Sequence, residues 1–225
     1  MRALVVAAHP DDEILGCGGV ISRFAKQDIC SWLLVLTDGV TSRYAGKCPA
    51  SDEEFTVRSK AMGEAAVNVG FTRVLQLDHL DLQLDTVPLL KLAKAVGSVI
   101  ASLKPDIVFC PFVGDLNIDH ELAARATITA TRPFSETPVC QVLMYEIASS
   151  TGAGFGSRRP FNPNVFYDLP LEAWTAKLAA LKAYGYELAR SAPRSIDAVG
   201  AAALRWGALA GCERAEAFEL VREIR

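Results

Sequence analysis

The sequence predicts a Rossmann-like α/β fold: a three-layer α/β/α arrangement around a mostly parallel sheet, with a C-terminal appendage of helices and short strands. Three observations point there. Strand-like apolar runs alternate with helical ones over the first 148 residues, the pattern of βαβ units. The first apolar run, Leu4-Val-Val-Ala-Ala8, breaks at Pro10 into one imidazole and three carboxylates. The three histidines of the chain, His9, His79 and His120, each follow a different predicted strand at its carboxyl end, where open parallel sheets place their chemistry.

Taken in order, Ile14 to Lys26 carries apolar residues at helical spacing, and Ser31 to Leu36 is a second strand ending in Thr37-Asp38-Gly39. A polar loop through Ser42, Arg43 and Cys48 follows. Ser51, three residues before Glu54, has the spacing of a capping box and opens a helix over Asp52 to Val69, which Gly70 ends. Thr72 to Leu77 is the third strand, followed by the acidic loop Asp78 to Asp85. Thr86 is expected to cap a helix running to Leu103, with Pro88 in its first turn. Ile107 to Pro111 is the fourth strand, and the loop after it delivers Asp115, Asn117, Asp119 and His120. Glu121 to Thr131 is helical and Val139 to Ile147 is a fifth strand.

Near Ser149 the alternation stops. Gly152 to Pro163 is rich in Gly, Pro, Arg and Ser and reads as a mobile loop or lid, whose Arg158 and Arg159 either reach substrate phosphates, to which paired arginines are suited, or are simply solvated. A short strand over Asn164 to Leu169, helices over Leu171 to Ala189 and Ser195 to Gly211, and a short strand or turn over Ala217 to Val221 complete the chain. All 225 residues are expected to form one domain, with residues 1–148 as its α/β core and 149–225 as the appendage.

Composition narrows the function classes. A hydrophobic content of 51% with a net charge of -3 excludes a polycationic nucleic-acid binder and fits an ordinary globular protein. No uncharged apolar run is long enough for a membrane span, and Met1-Arg2 leads straight into a strand rather than a leader, so a cytoplasmic location is expected. The six cysteines are scattered, without a Cys-x-x-Cys pair, and read as reduced, mostly buried thiols. The alanine-rich helix from Ala198 to Gly211 offers a face on which a homo-oligomer could form.

Neutral imidazole with carboxylate suits zinc or another borderline divalent metal. His9 and Asp12, three residues apart around a turn, can face one point; a third ligand must come from another loop, and His120 is the natural candidate. Asp11 is then the odd carboxylate, placed to act as a general base beside water at the metal. The tetrad Gly16-Cys17-Gly18-Gly19 does not match the dinucleotide fingerprint, and its glycines read instead as close packing of helix on sheet.

The run Ala8-His9-Pro10-Asp11-Asp12-Glu13 resembles the signature of the PIG-L/LmbE family of metal-dependent N-acetylglucosaminyl deacetylases. The second signature of that family is usually His-Pro-Asp-His; here the matching positions read Asn117-Ile118-Asp119-His120. Similarity continues through Arg58 at the head of the second helix, Asp81 in the acidic loop and the run Ala215-Glu216-Ala217-Phe218. The resemblance implies an LmbE-like fold, a Zn2+ ion (or another divalent metal) on His9, Asp12 and His120, and Asp11 as the base. It also implies Arg58 and Asp81 on the sugar, and Asp119 orienting a neighbouring group. Asn117 departs from the pattern: asparagine can donate a hydrogen bond to an oxyanion but cannot supply a proton. The proton for the leaving amine must then come from Asp11 or from another group, for which His79, two residues before Asp81 in a loop expected to border the same cleft, is the available candidate; otherwise His79 only lines the substrate pocket or bonds a backbone carbonyl. The implied activity is removal of an acetyl group from an N-acetylated amino sugar, such as an N-acetylglucosamine conjugate or a nucleotide sugar. An amidase on a non-sugar N-acyl metabolite and a catalytically reduced sugar-binding protein are the alternatives.

Overall fold

A computed structural model describes residues 1–43, 51–133, 139–156, 159–185 and 192–224. Five strands, β1 (Arg2–Ala7), β2 (Cys30–Thr37), β3 (Arg73–His79), β4 (Ile107–Pro111) and β5 (Gln141–Tyr145), pair in parallel in the order β3-β2-β1-β4-β5. Helices α1 (Asp12–Lys26), α2 (Asp52–Val69), α3 (Leu89–Leu103) and α4 (Ile118–Ala130) connect them. β1 is buried on both faces, so its side chains divide between two cores. Ala3, Val5 and Ala7 pack with Ile14, Ile21 and Phe24 on the α1 side; Leu4, Val6 and Ala8 pack with Leu92, Val96 and Ala123 on the α3/α4 side. That division makes the three layers.

Beyond Ser149 the chain adds to the same sheet. β6 (Val165–Asp168), α5 (Leu171–Ala183) and α6 (Ile196–Ala210) precede β7 (Ala215–Glu223), and β7 inserts antiparallel between β5 and β6. The run over Ala217 to Val221 is thus the middle of a nine-residue strand, its ends set by partners distant in sequence. Two helix starts also differ from expectation. Thr86 lies in a short 3₁₀ turn and its hydroxyl donates to the Gln83 carbonyl, so α3 begins after Pro88. α4 begins at Ile118, because Asn117 accepts the Asp119 amide and caps it there. The capping box at Ser51 and Glu54 forms as read. Cys17 and Cys110 are buried, but Cys30 and Cys140 are exposed at strand starts; Cys48 lies outside the described residues.

The glycine tetrad has a physical reason. α1 is interrupted at Cys17, whose φ of -145° is non-helical. A Cβ on Gly16 would lie 2.1 Å from the Tyr145 ring, and one on Gly19 would lie 2.7 Å from Leu169. The break frees the Leu15 carbonyl and the Gly19 and Val20 amides. Lys177 donates to that carbonyl at 2.9 Å, and Glu216 accepts both amides at 2.9 and 2.7 Å. Lys177 and Glu216 also pair with each other, both nearly sealed from solvent. Removing one member of such a pair leaves a buried charge uncompensated. Lys177→Met is accordingly expected to lower the unfolding free energy by about 3–5 kcal/mol, read by denaturant titration. An unchanged midpoint would show that the pair does not secure the helix break.

Candidate active site

The strand order reverses between β1 and β4, which are parallel neighbours. Connections leaving a sheet in opposite directions open a crevice outside the carboxyl ends of the strands. His9 follows β1 directly, Asp81 follows β3, and Asp119 and His120 occupy the first turn of α4 after β4. Local structure at three separate strand ends thus delivers the polar residues to one place.

His9, Asp12 and His120 are all buried, and one ligand atom from each lies within 4.8 Å of the others. His9 Nδ1 is 3.3 Å from Asp12 Oδ2 and 3.2 Å from His120 Nε2, and His120 Nε2 is 3.3 Å from Asp12 Oδ1. Asp12 Oδ1 is buried and lacks a hydrogen-bond partner, an unmet demand that a cation would fill. Two imidazole nitrogens and one carboxylate oxygen form a donor set suited to a zinc-like ion with a position left for water or substrate. The trio therefore fits a divalent metal.

The outward nitrogens of both rings are held. His9 Nε2 lies 3.2 Å from both Asp119 Oδ2 and Asp81 Oδ1. His120 Nδ1 lies 3.2 Å from Asp115 Oδ1. Asp115 is itself held by the Ser150 hydroxyl at 3.0 Å and by Thr151, and Asp119 accepts the Leu82 and Leu84 amides at 2.9 and 3.0 Å. Carboxylates behind ligating histidines fix ring orientation and raise ligand basicity. Burial works against a charged imidazole, but Asp12 and Asp119 raise the His9 pKa to about 10, and Asp12 and Asp115 raise that of His120 to about 9. Burial likewise opposes the Asp12 charge, yet His120 and His9 hold its carboxyl well below the usual range.

Asp11 stands beside the trio with a backbone φ of 109°, a left-handed conformation uncommon for a residue with a side chain. Its carbonyl starts α1 by accepting the Ile14 and Leu15 amides. Its Oδ2 accepts a hydrogen bond from Arg194 at 2.9 Å and lies 3.6 Å from Arg58, whereas Oδ1 is buried without a hydrogen-bond partner. Burial pushes the Asp11 carboxyl up, against the opposing pull of Arg58 and Arg194. Below it, Glu13 accepts the Tyr184 hydroxyl at 2.7 Å and the Asp11 amide at 3.0 Å. Burial pushes Glu13 up to about 8, with the Tyr184 hydrogen bond resisting.

Most of the residues singled out in the sequence converge here. Arg58 is buried rather than a surface helix charge: it donates to the Pro10 carbonyl and lies over the Tyr184 ring. Asp81 contacts His9 directly and accepts the Ser42 hydroxyl. Asn117 uses Oδ1 on its own helix cap, which leaves Nδ2 as the donor it can offer. His79 ends β3 and its carbonyl accepts the Asp38 amide, but its ring joins none of the side-chain contacts described around the trio. Of the two lid arginines, Arg158 lies outside the described residues; Arg159 pairs with Glu219 at 2.7 Å.

Arg194, Asp115, Glu13 and Tyr184 complete the site without having been assigned roles from sequence. The one signal for Arg194 is its place immediately before the Ser195 cap of α6. A cation there sits against the helix dipole and needs an anion elsewhere. Asp11 is that anion.

Comparison with known proteins finds deacetylases among the chain's relatives. The family model described as PIG-L, GlcNAc-PI de-N-acetylase, matches residues 4–131. An uncharacterized deacetylase of Escherichia coli, YaiS, is 29% identical over 189 residues, covering 80% of this chain and 88% of that protein. A Bacillus cereus protein named as a probable N-acetyl-alpha-D-glucosaminyl L-malate deacetylase is 28% identical, covering 81% of this chain and 82% of its own. Among solved structures, a conserved protein from Thermus thermophilus superposes with a TM-score of 0.75 at 25% identity, covering 99% of this chain and 96% of that one.

Proposed function

The chain belongs to the PIG-L family of de-N-acetylases, and from that premise we propose that it is a divalent-metal-dependent hydrolase, with zinc as the metal. Its substrate on this reading is an N-acetylated amino-sugar conjugate, which loses its acetyl group. The observation that carries the reading is the buried His9–Asp12–His120 trio beside an Asp11 carboxylate with one oxygen held and the other unpartnered. His9, Asp12 and His120 would hold the ion. Bound there, a divalent metal would polarise the acetamide carbonyl and lower the pKa of water.

The remaining chemistry falls to side chains of the chain. Asp11 Oδ1 accepts the proton of the attacking water, while Arg194 keeps Oδ2 engaged and so aims the free oxygen. The hydroxide adds to the acetamide carbon, giving a tetrahedral oxyanion on the substrate. Asn117 Nδ2 donates to that oxyanion. Asp11 returns its proton to the nitrogen as the carbon–nitrogen bond breaks, so one amide and one water become acetic acid and an amine, and passage of the acid's proton to the amine leaves acetate and an ammonium group. Asp119 serves by position: it ties the loop of Leu82 and Leu84 to His9. Arg58, Asp81 and His79 lie at the sugar side of the cleft on this reading, with Asp81 also steadying the His9 ring.

Acetate release from N-acetylglucosamine, diacetylchitobiose and uridine diphosphate N-acetylglucosamine tests the reaction. Release from at least one that stops with chelator and returns with zinc is expected. A protein that takes up zinc yet releases no acetate from any of a broad panel of N-acetylated sugars would instead be a sugar-binding member of the family.

A further inference from the structure

The loop after β5 has two working faces. On one, Ser150 and Thr151 hold Asp115 behind His120. On the other, Thr151 joins the wall of a separate pocket of about 350 Å³ that reaches α6. Its lining includes Phe155, Arg159, Phe161, Arg205 and Trp206.

Two features of this lining point to a ligand. The first is the presentation of its arginines. The Arg159 guanidinium lies over the Phe112 ring at 4.9 Å, and that of Arg205 lies over Trp206 at 4.5 Å. A guanidinium held over an aromatic face can still offer N–H groups to an anion, and its fork suits phosphate or carboxylate bidentately. Two acids stand nearby, and Glu146, which also lines the pocket, faces Arg205. Glu219 accepts Arg159 and the Asn162 amide, and Glu146 accepts the Trp206 indole N–H.

The second feature is Phe155. It is 92% exposed, with a left-handed φ of 38°, between Gly154 and Gly156. A non-glycine residue held at positive φ with its whole ring in water bears two costs, in backbone strain and in exposed apolar area. A flat ring stacking on Phe155 would relieve the second. Phe161, edge-on to both Phe112 and Trp206, extends the aromatic wall.

We propose that this pocket binds a planar ring carrying a phosphate or carboxylate, the chemistry of a nucleoside diphosphate or an aryl acid. The ring stacks at Phe155 and the anion meets Arg205 and the remaining donors of Arg159. Such a ligand is either the far end of the substrate, which rests on the deacetylase reading, or a separate small molecule.

Calorimetric titration of the metal-loaded full chain with uridine diphosphate, uridine and pyrophosphate tests this. Uridine diphosphate is expected to bind at least about tenfold tighter than either fragment, since ring and anion contributions combine. Arg205→Ala and Phe155→Ala are each expected to weaken it by about tenfold, with unchanged melting temperature because both side chains are exposed. Equal binding of all three compounds, or wild-type affinity in both variants, would overturn the proposal. Competition by uridine diphosphate against uridine diphosphate N-acetylglucosamine assigns the pocket to the substrate; binding without competition assigns it to a separate ligand. If no N-acetylated sugar is turned over, the deacetylase reading falls while the calorimetry still decides the pocket.

Discussion

Asp11→Asn is expected to keep metal uptake and to lose acetate release by about 10²–10⁴-fold, the usual contribution of a positioned general base. The substitution is nearly isosteric, and asparagine tolerates both a helix-capping position and a positive φ better than most residues, so the φ of 109° at this position need not change. What is lost is the proton acceptor at Oδ1. A variant with wild-type metal content and near wild-type turnover would remove Asp11 from the role of base. Arg194→Lys adds a finer reading. Lysine keeps a charge near Asp11 but not the planar donor pair that reaches Asp11 and Ser149 together, so kcat should fall more than KM rises.

The second large effect is expected at His120. His120→Ala removes one of the three proposed metal donors and takes from the buried Asp12 and Asp115 the imidazole that lies between them, leaving Asp12 with His9 and Asp115 with the Ser150 and Thr151 hydroxyls. Metal content and turnover should both be lost, and the metal-free variant should be less stable than the metal-free parent by about 3–5 kcal/mol, as for other broken buried pairs. The same imidazoles set a pH signature. In the metal-free protein the pKa values of His9 and His120 are raised to about 10 and about 9, above the unfolded value near 6.5. Their stabilisation is therefore fully present below about pH 6.5 and lost as pH rises through about 9 and 10. The melting temperature of chelated protein should fall across that window. Metal binding displaces those protons, so affinity should strengthen with rising pH below about 9, by up to about a hundredfold per unit for two protons released. Metal affinity independent of pH between 6 and 8 would mean that the imidazoles are not the ligands.

What could be read in the sequence was what neighbouring residues decide together. The strand ending at His9, the acids packed into Asp11, Asp12 and Glu13, and the capping box at Ser51 are all local, and local steric and hydrogen-bonding rules specify them. The trio could be inferred from chemistry, because two candidate donors share one turn and few histidines remain to complete a set. The insertion of β7 between β5 and β6 could not, since a nine-residue strand with buried and partly exposed stretches is compatible with several partners. Arg194 was hidden for a related reason. It meets Asp11 across 183 positions, and its place before the Ser195 cap calls for an anion without saying which. Glu216 was visible as part of a recurring run, but its work, closing the break in α1 with Lys177, depends on a helix irregularity produced by tertiary packing. Asn117 was visible as a departure, while its hold on the α4 cap came from where the helix starts.

The most direct test of the account titrates zinc into chelated protein while bound metal and acetate release are followed on the same sample. No release is expected from the metal-free chain, release should rise in proportion to the first ion bound per chain, and His120→Ala should show neither tight binding nor release. Full acetate release from the metal-free chain, or undiminished release from His120→Ala, would contradict it.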